Sequence, residues 1–195
     1  MAKPIPNFAM KLLLNRLRQH RERLAQIYQT SPPGYRLLQL SPQDLKQQGI
    51  SVLVLDFDGV LAAYGELSPV PELDEWLQNC LNIFGASQVF ILSNKPLAQR
   101  ITYLEKHYQG VRWITGVRKK PDPQGLETIL EYTGQPASSV MLVDDRLLTG
   151  ALAACIANVR FTYITRPYMQ IWKRPIPELF FWLLRFLERR LVQWY

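Results

Sequence analysis

Two carboxylates, Asp56 and Asp58, follow directly on an apolar run, Val52-Leu53-Val54-Leu55. In extended chain, side chains two residues apart project to the same side. Like charges brought that close repel, and a compensating cation resolves the conflict. Two carboxylates select a hard, oxygen-liganded ion such as Mg2+. Gly59 lets the chain turn sharply after them. An acidic turn that merely ends a strand would explain this pair alone, so the other polar clusters must decide. There are three. Ser93-Asn94 follows Val89-Phe90-Ile91-Leu92, Lys119-Lys120 precedes Pro121-Asp122-Pro123, and Asp144-Asp145 follows Val140-Met141-Leu142-Val143.

The elements that must carry these clusters can be read from pattern. Unbroken apolar runs at 52–55, 89–92 and 140–143 suit strands buried on both faces. Shorter strands are expected at 111–114 and 160–164. Between them lie helical stretches: one begun by Pro71 and Glu72, one opened by Pro96 and running to about His107, and one through 151–156. A further helix has Asp122 as expected N-cap and Pro123 at its first position, and ends at Gly134. Ser41-Pro42 starts a short helix ahead of the first strand in the same way. Alternation of this kind over 50–165 predicts a parallel sheet of about five strands with helices on both faces. Ligands bind beyond the carboxyl ends of such strands, and all four polar clusters stand there.

Asp-Phe-Asp-Gly-Val, Leu-Ser-Asn, Lys-Lys-Pro and Val-Asp-Asp, in that order, resemble the motifs of the haloacid dehalogenase-like (HAD) phosphatases over about residues 48–165. The resemblance implies a three-layer α/β/α Rossmann-like fold and assigns roles. Asp56 would be the nucleophile that forms an aspartyl-phosphate. Asp58 would be the general acid–base, with its backbone carbonyl on Mg2+. Asp145, supported by Asp144, would complete the metal site with Asp56 and Asp58. The Ser93 hydroxyl and the Asn94 N–H would bind phosphate near a helix N-terminus. Lys120, rather than Lys119, would bind phosphate and balance charge in the transition state. Two positions depart from the pattern: Val60 stands where many relatives have Thr, and Gly150 where a second acid often follows.

Relatives that act on small metabolites often carry an inserted cap domain, but neither 59–93 nor 94–120 is long enough for one. An open site suits a large substrate. The chain of 195 residues has a net charge of +7, concentrated at its ends: residues 1–36 carry +6, 166–195 carry +4, and the middle −3. Basic ends suggest an anionic surface as partner. In the N-terminal extension, Leu13, Leu17, His20, Leu24 and Ile27 share one helical face, with Lys11, Arg18 and Glu22 opposite. In the C-terminal extension, Phe180, Leu183, Leu184, Leu187, Leu191 and Trp194 form a stripe, with Arg185 and Arg189 opposite. Such a helix suits a membrane interface, or packing on the sheet or a second copy. The run Met10–Leu14 is too short for a signal peptide, and no window reaches the ~20 apolar residues of a membrane span. Cys80 and Cys155 lack metal-ligand spacing and read as small core residues.

Short spacers, Lys-Lys-Pro and Asp145-Arg146-Leu147-Leu148-Thr149 are similar to the YqeG-type branch (HAD subfamily IIIA), which is similar to mitochondrial phosphatidylglycerophosphate phosphatases. That likeness implies removal of the terminal phosphate from phosphatidylglycerophosphate. The protein would lie peripherally on the cytoplasmic membrane face, using an N-terminal extension (1–36), a phosphatase domain (37–165) and a C-terminal helix (166–195). Two other readings follow from the same residues. One is a soluble phosphatase of a protein, nucleotide or sugar phosphate. The other is a nucleic-acid-binding protein with a vestigial site, disfavoured because its basic residues alternate with Leu and Phe rather than lying on a strand platform.

Overall fold

The computed structural model describes residues 6–194. Five parallel strands form one sheet in the order β3-β2-β1-β4-β5, where β1 is Val52–Leu55, β2 Val89–Ile91, β3 Arg112–Trp113, β4 Val140–Asp144 and β5 Arg160–Tyr163. The central strand pairs Leu55 with Ile91 on one side and with Val143 on the other. Its four residues are all buried because helices cover both faces. Leu53 and Leu55 pack towards α3 (Asp74–Phe84) with Trp76, Leu77 and Cys80. Val52 and Val54 pack towards α5 (Gln124–Thr133) and α6 (Leu152–Ile156) with Leu126, Ile129 and Ala153. The expected three-layer fold is therefore the one formed, and no domain is inserted between β1 and Lys120. Both cysteines are buried and unpaired.

The remaining helices are α1 (Pro6–Thr30), α2 (Pro42–Gln47), α4 (Ala98–His107) and α7 (Pro175–Trp194). Ser41 caps α2, its hydroxyl accepting the Asp44 N–H at 3.1 Å, with Pro42 in the first turn as expected. Other boundaries differ from expectation. Helix α4 begins at Ala98, because Ser93 to Leu97 stays irregular under the site. Helix α5 begins at Gln124, and Asp122 instead closes the preceding turn by accepting the Gln124 N–H at 3.1 Å. Residues 147–151 form one wide π-type turn before α6.

Helix α1 buries the stripe read from sequence: Leu24 is enclosed, while Leu13, Leu17 and Ile27 pack against Leu147, Leu152 and Val192. Helix α7 behaves differently. Its buried residues are Glu178, Arg185, Glu188 and Val192. Leu183, Leu187 and Leu191 are each close to half exposed, and Trp194 is 86% exposed. The helix lies on the protein by its polar side and turns its apolar stripe outward.

Candidate active site

All four polar clusters meet at the carboxyl edge of the sheet. Strand β1 delivers Asp56, β4 delivers Asp144 and Asp145, and carboxylate oxygens of these three lie within 4.8 Å of one another. Lys120 is buried between them, its Nζ 3.0 Å from Asp56 Oδ1 and 2.5 Å from Asp144 Oδ2. Lys119 is exposed at the rim. Lys120 is held there by an amide clamp: its N–H donates to Asn94 Oδ1 at 2.7 Å, and Asn94 Nδ2 donates to its carbonyl at 3.1 Å. Ser93, on the loop after β2, accepts the Lys95 N–H at 3.2 Å and lines the same cleft of about 410 Å3. That cleft also takes in Asp58, Asn94, Lys120 and Asp145.

The Asp58 carboxylate lies apart from the acidic cluster. Arg100 of α4 binds it with two nitrogens, at 2.9 and 2.7 Å, and the Gly65 N–H donates to it at 3.0 Å. Arg100 is fully buried, stacked over the Phe57 ring at 4.2 Å. Nothing in the sequence singles it out, because an arginine in an amphipathic helix reads as a surface charge.

Burial pushes the Asp56 carboxyl up to about 8, with Lys120 opposing and Asp144 and Asp145 adding to the rise. Burial also lifts Asp145, to about 6, against the pull of Arg185. Burial works against the charge of Lys120, yet the carboxylates of Asp144 and Asp56 hold its pKa above the ordinary lysine value. Three carboxylates thus face two cations, Lys120 and Arg185. Asp145 Oδ1 is buried without a hydrogen-bond partner. An all-oxygen donor set with surplus negative charge and an unsatisfied carboxylate oxygen fits a hard divalent cation. The residues that could hold it are Asp56 and Asp145, with Asp144 engaged by Lys120 and by the Arg146 N–H at 2.9 Å.

The two departures from the family pattern have physical settings. Val60 is fully enclosed in the core, where a hydroxyl would need a partner. Gly150 lies against the Asp144 side chain so closely that a Cβ would collide with it. Asp144 occupies the space that an acid at 150 would need.

The C-terminal helix supplies Arg185, which the sequence placed opposite the apolar stripe, together with Glu188 and Phe181. Arg185 Nε donates to Asp145 Oδ2 at 2.5 Å. Glu188 accepts from Arg146 Nε at 2.8 Å and from the Leu147 N–H at 2.9 Å. Phe181 packs on Tyr64, ring centroids 4.0 Å apart, at the mouth of the cleft. A buried Arg or Glu in an amphipathic helix is visible only once its partner is known, and these partners lie about 40 residues away.

A parallel sheet with two acidic strand ends and a buried lysine between them is an arrangement suited to phosphoryl chemistry. The chain belongs to the haloacid dehalogenase-like hydrolase family, whose model matches residues 6–157. No curated protein matches the chain. Two solved structures resemble it. One is an uncharacterised protein from Corynebacterium glutamicum, 24% identical, covering 66% of this chain and 92% of that one with a TM-score of 0.45. The other is a candidate phosphoglycolate phosphatase from Lactobacillus delbrueckii subsp. bulgaricus, 19% identical, covering 48% of this chain and 40% of that one with a TM-score of 0.39.

Proposed function

We propose that the protein is a Mg2+-dependent phosphatase that removes the terminal phosphate of phosphatidylglycerophosphate, working peripherally on the cytoplasmic face of a membrane. The observation that carries the chemistry is Lys120 Nζ held between Asp56 and Asp144 beside Ser93 and Asn94. In this reading Asp56 attacks phosphorus, the bond to the leaving oxygen breaks, and an aspartyl-phosphate forms on Asp56. Asp58 protonates the leaving alkoxide, then takes a proton from the water that attacks the phosphoryl group and regenerates Asp56. The Arg100 pair must loosen for the first of these, since a protonated carboxyl gains less from a guanidinium than a carboxylate does. Lys120 and the Ser93 hydroxyl hold the phosphoryl oxygens as charge develops. A Mg2+ bound at Asp56 and Asp145 would supply charge neutralisation between carboxylate and phosphate.

Support for a lipid substrate comes from what surrounds the cleft. No inserted domain closes it, and α7, which forms one wall, presents Leu183, Leu187, Leu191 and Trp194 outward. Contiguous exposed apolar side chains of this kind mark interaction sites. Arg18 and Arg21 of α1 line a groove with Leu14 and Leu191, so positive charge borders the apolar face. That combination suits an anionic lipid surface. Among the described residues no helix is long and apolar enough to cross a membrane.

The test is phosphate release by the full chain, with Mg2+, from phosphatidylglycerophosphate in mixed micelles and from a panel of soluble phosphomonoesters. The expected result is turnover of the lipid, lost by at least about 10^3-fold in Asp56→Asn, in line with loss of a covalent nucleophile. Equal activity in Asp56→Asn and wild type would overturn the mechanism. Turnover of soluble esters with none of the lipid would overturn the substrate.

A further inference from the structure

Behind the loop that carries Asp56 and Asp58 lies a second cleft, of about 910 Å3, that the reaction above does not use. Its floor joins that loop directly, since the Tyr168 N–H donates to the Gly59 carbonyl at 2.8 Å. Four arginines line it: Arg36, Arg166, Arg185 and Arg189. The only acid among its lining residues is Glu72, 3.7 Å from Arg36. Arg189 is fixed by bonds to Tyr163 Oη and the Thr165 carbonyl, at 2.9 and 2.8 Å. Arg185 belongs to both clefts. It is 95% buried by its 5% exposure, one nitrogen is spent on Asp145, and Nη1 has no partner. A buried guanidinium nitrogen without an acceptor is costly, and a bound anion is one group that would satisfy it.

The outer wall of this cleft is apolar. Trp182 and Phe186 stack on each other, centroids 5.9 Å apart, and both are also partly exposed on α7. Arg185 is thus shared by the cleft of Asp56 and Lys120 and by the arginine-lined cleft, whose far side ends in aromatic rings at the edge of the apolar face.

We infer that this arginine-lined cleft is a second anion subsite, which takes a phosphodiester joined by a short polyol to the phosphomonoester under attack. The inference rests on the phosphatase reading and sharpens it, because it makes the enzyme selective for substrates with two phosphate groups. A lipid phosphodiester would place its acyl chains over Trp182 and Phe186. A polynucleotide shares the phosphodiester but would extend as a charged chain across that apolar rim.

The experiment uses soluble probes, so that membrane binding does not enter. Turnover of deacylated phosphatidylglycerophosphate is compared with that of glycerol 3-phosphate and of a 5′-phosphorylated dinucleotide. The expected result is a preference for the deacylated lipid. The ratio of its kcat/KM to that of glycerol 3-phosphate should fall about tenfold in Arg166→Gln and in Arg36→Gln, the scale of one charge-assisted hydrogen bond. An unchanged ratio in both variants overturns the subsite, and faster turnover of the dinucleotide overturns its assignment to lipid. A binding measurement separates the two readings. Titration with glycerophosphoglycerol, which carries the diester and no cleavable phosphate, should show binding to wild type that Arg166→Gln weakens about tenfold. Such binding in a protein that hydrolyses no phosphomonoester would sustain the subsite and remove the phosphatase reading. Hydrolysis without that binding would do the reverse.

Discussion

Helices α1 and α7 look alike in sequence and pack in opposite senses. Both are long, basic and amphipathic. Helix α1 lays Leu13, Leu17, Leu24 and Ile27 against the body of the protein and leaves Lys11, Arg18 and Glu22 in solvent. Helix α7 lays Arg185 and Glu188 against it and leaves Leu183, Leu187 and Leu191 outside. A stripe therefore states that a helix has two sides without stating which faces in. The choice depends on what waits beneath. Under α1 is an apolar surface of Leu147, Leu152 and Cys155. Under α7 are Asp145, the Arg146 guanidinium and the Leu147 N–H, groups that would be buried unsatisfied without Arg185 and Glu188. Unpaired buried charge is costlier than exposed leucine.

The largest expected effect tests whether the carboxylates beneath α7 are as crowded as they look. Asp56 is raised to about 8 in the folded chain from an ordinary value of 3.8. The folded state then keeps a proton that the unfolded state releases, so metal-free stability falls as pH rises from about 4 through 8. Asp145, raised to about 6, adds to the fall over the lower part of that range. Urea unfolding of metal-free protein at pH 5 and pH 8 should show the difference, and added Mg2+ should reduce it. A flat profile would contradict the crowding. Next is Glu188→Ala, which strips Arg146 and the Leu147 N–H of their partner and should cost about 3–5 kcal/mol. A loss under ~1 kcal/mol would mean that the inner side of α7 is not held as described.

On α1, Leu24→Ala removes an enclosed side chain and should cost about 2–5 kcal/mol by the cavity it leaves. The smallest effect on stability belongs to Leu183→Gln with Leu187→Gln, within about 0.5 kcal/mol, since both face outward. That pair should nonetheless abolish flotation with anionic liposomes. Destabilisation by several kcal/mol would instead show the face to be packed in solution.

The sheet and its acidic ends were legible because each rests on short-range pattern. Unbroken apolar runs marked β1, β2 and β4, and Asp56, Asp144 and Asp145 sit where those runs stop. Ser41 and Pro42 marked α2 by local capping chemistry. What escaped depends on partners distant in the chain. Arg100 can be buried because Asp58, 42 positions earlier, accepts from two of its nitrogens and the Glu66 carbonyl from the third. Asp122 looked like a cap, but its side chain serves the turn instead. The wide turn at 147–151 comes with Glu188 accepting the Leu147 N–H and with the close fit of Gly150 on Asp144, neither of which local pattern encodes.

The amide clamp between Asn94 and Lys120 has a mechanical side. Strand β2 stops at Ile91, yet a side chain three residues later exchanges two hydrogen bonds with a loop backbone, as one strand does with its neighbour. Asn94 acts as a detached rung of the ladder, and the lysine hangs from it as from a two-pin hinge. Aspartate is almost the same shape, but it keeps one pin and sets a negative oxygen against the Lys120 carbonyl in place of the other. A change of a single heavy atom would leave the sheet intact and let the lysine swing.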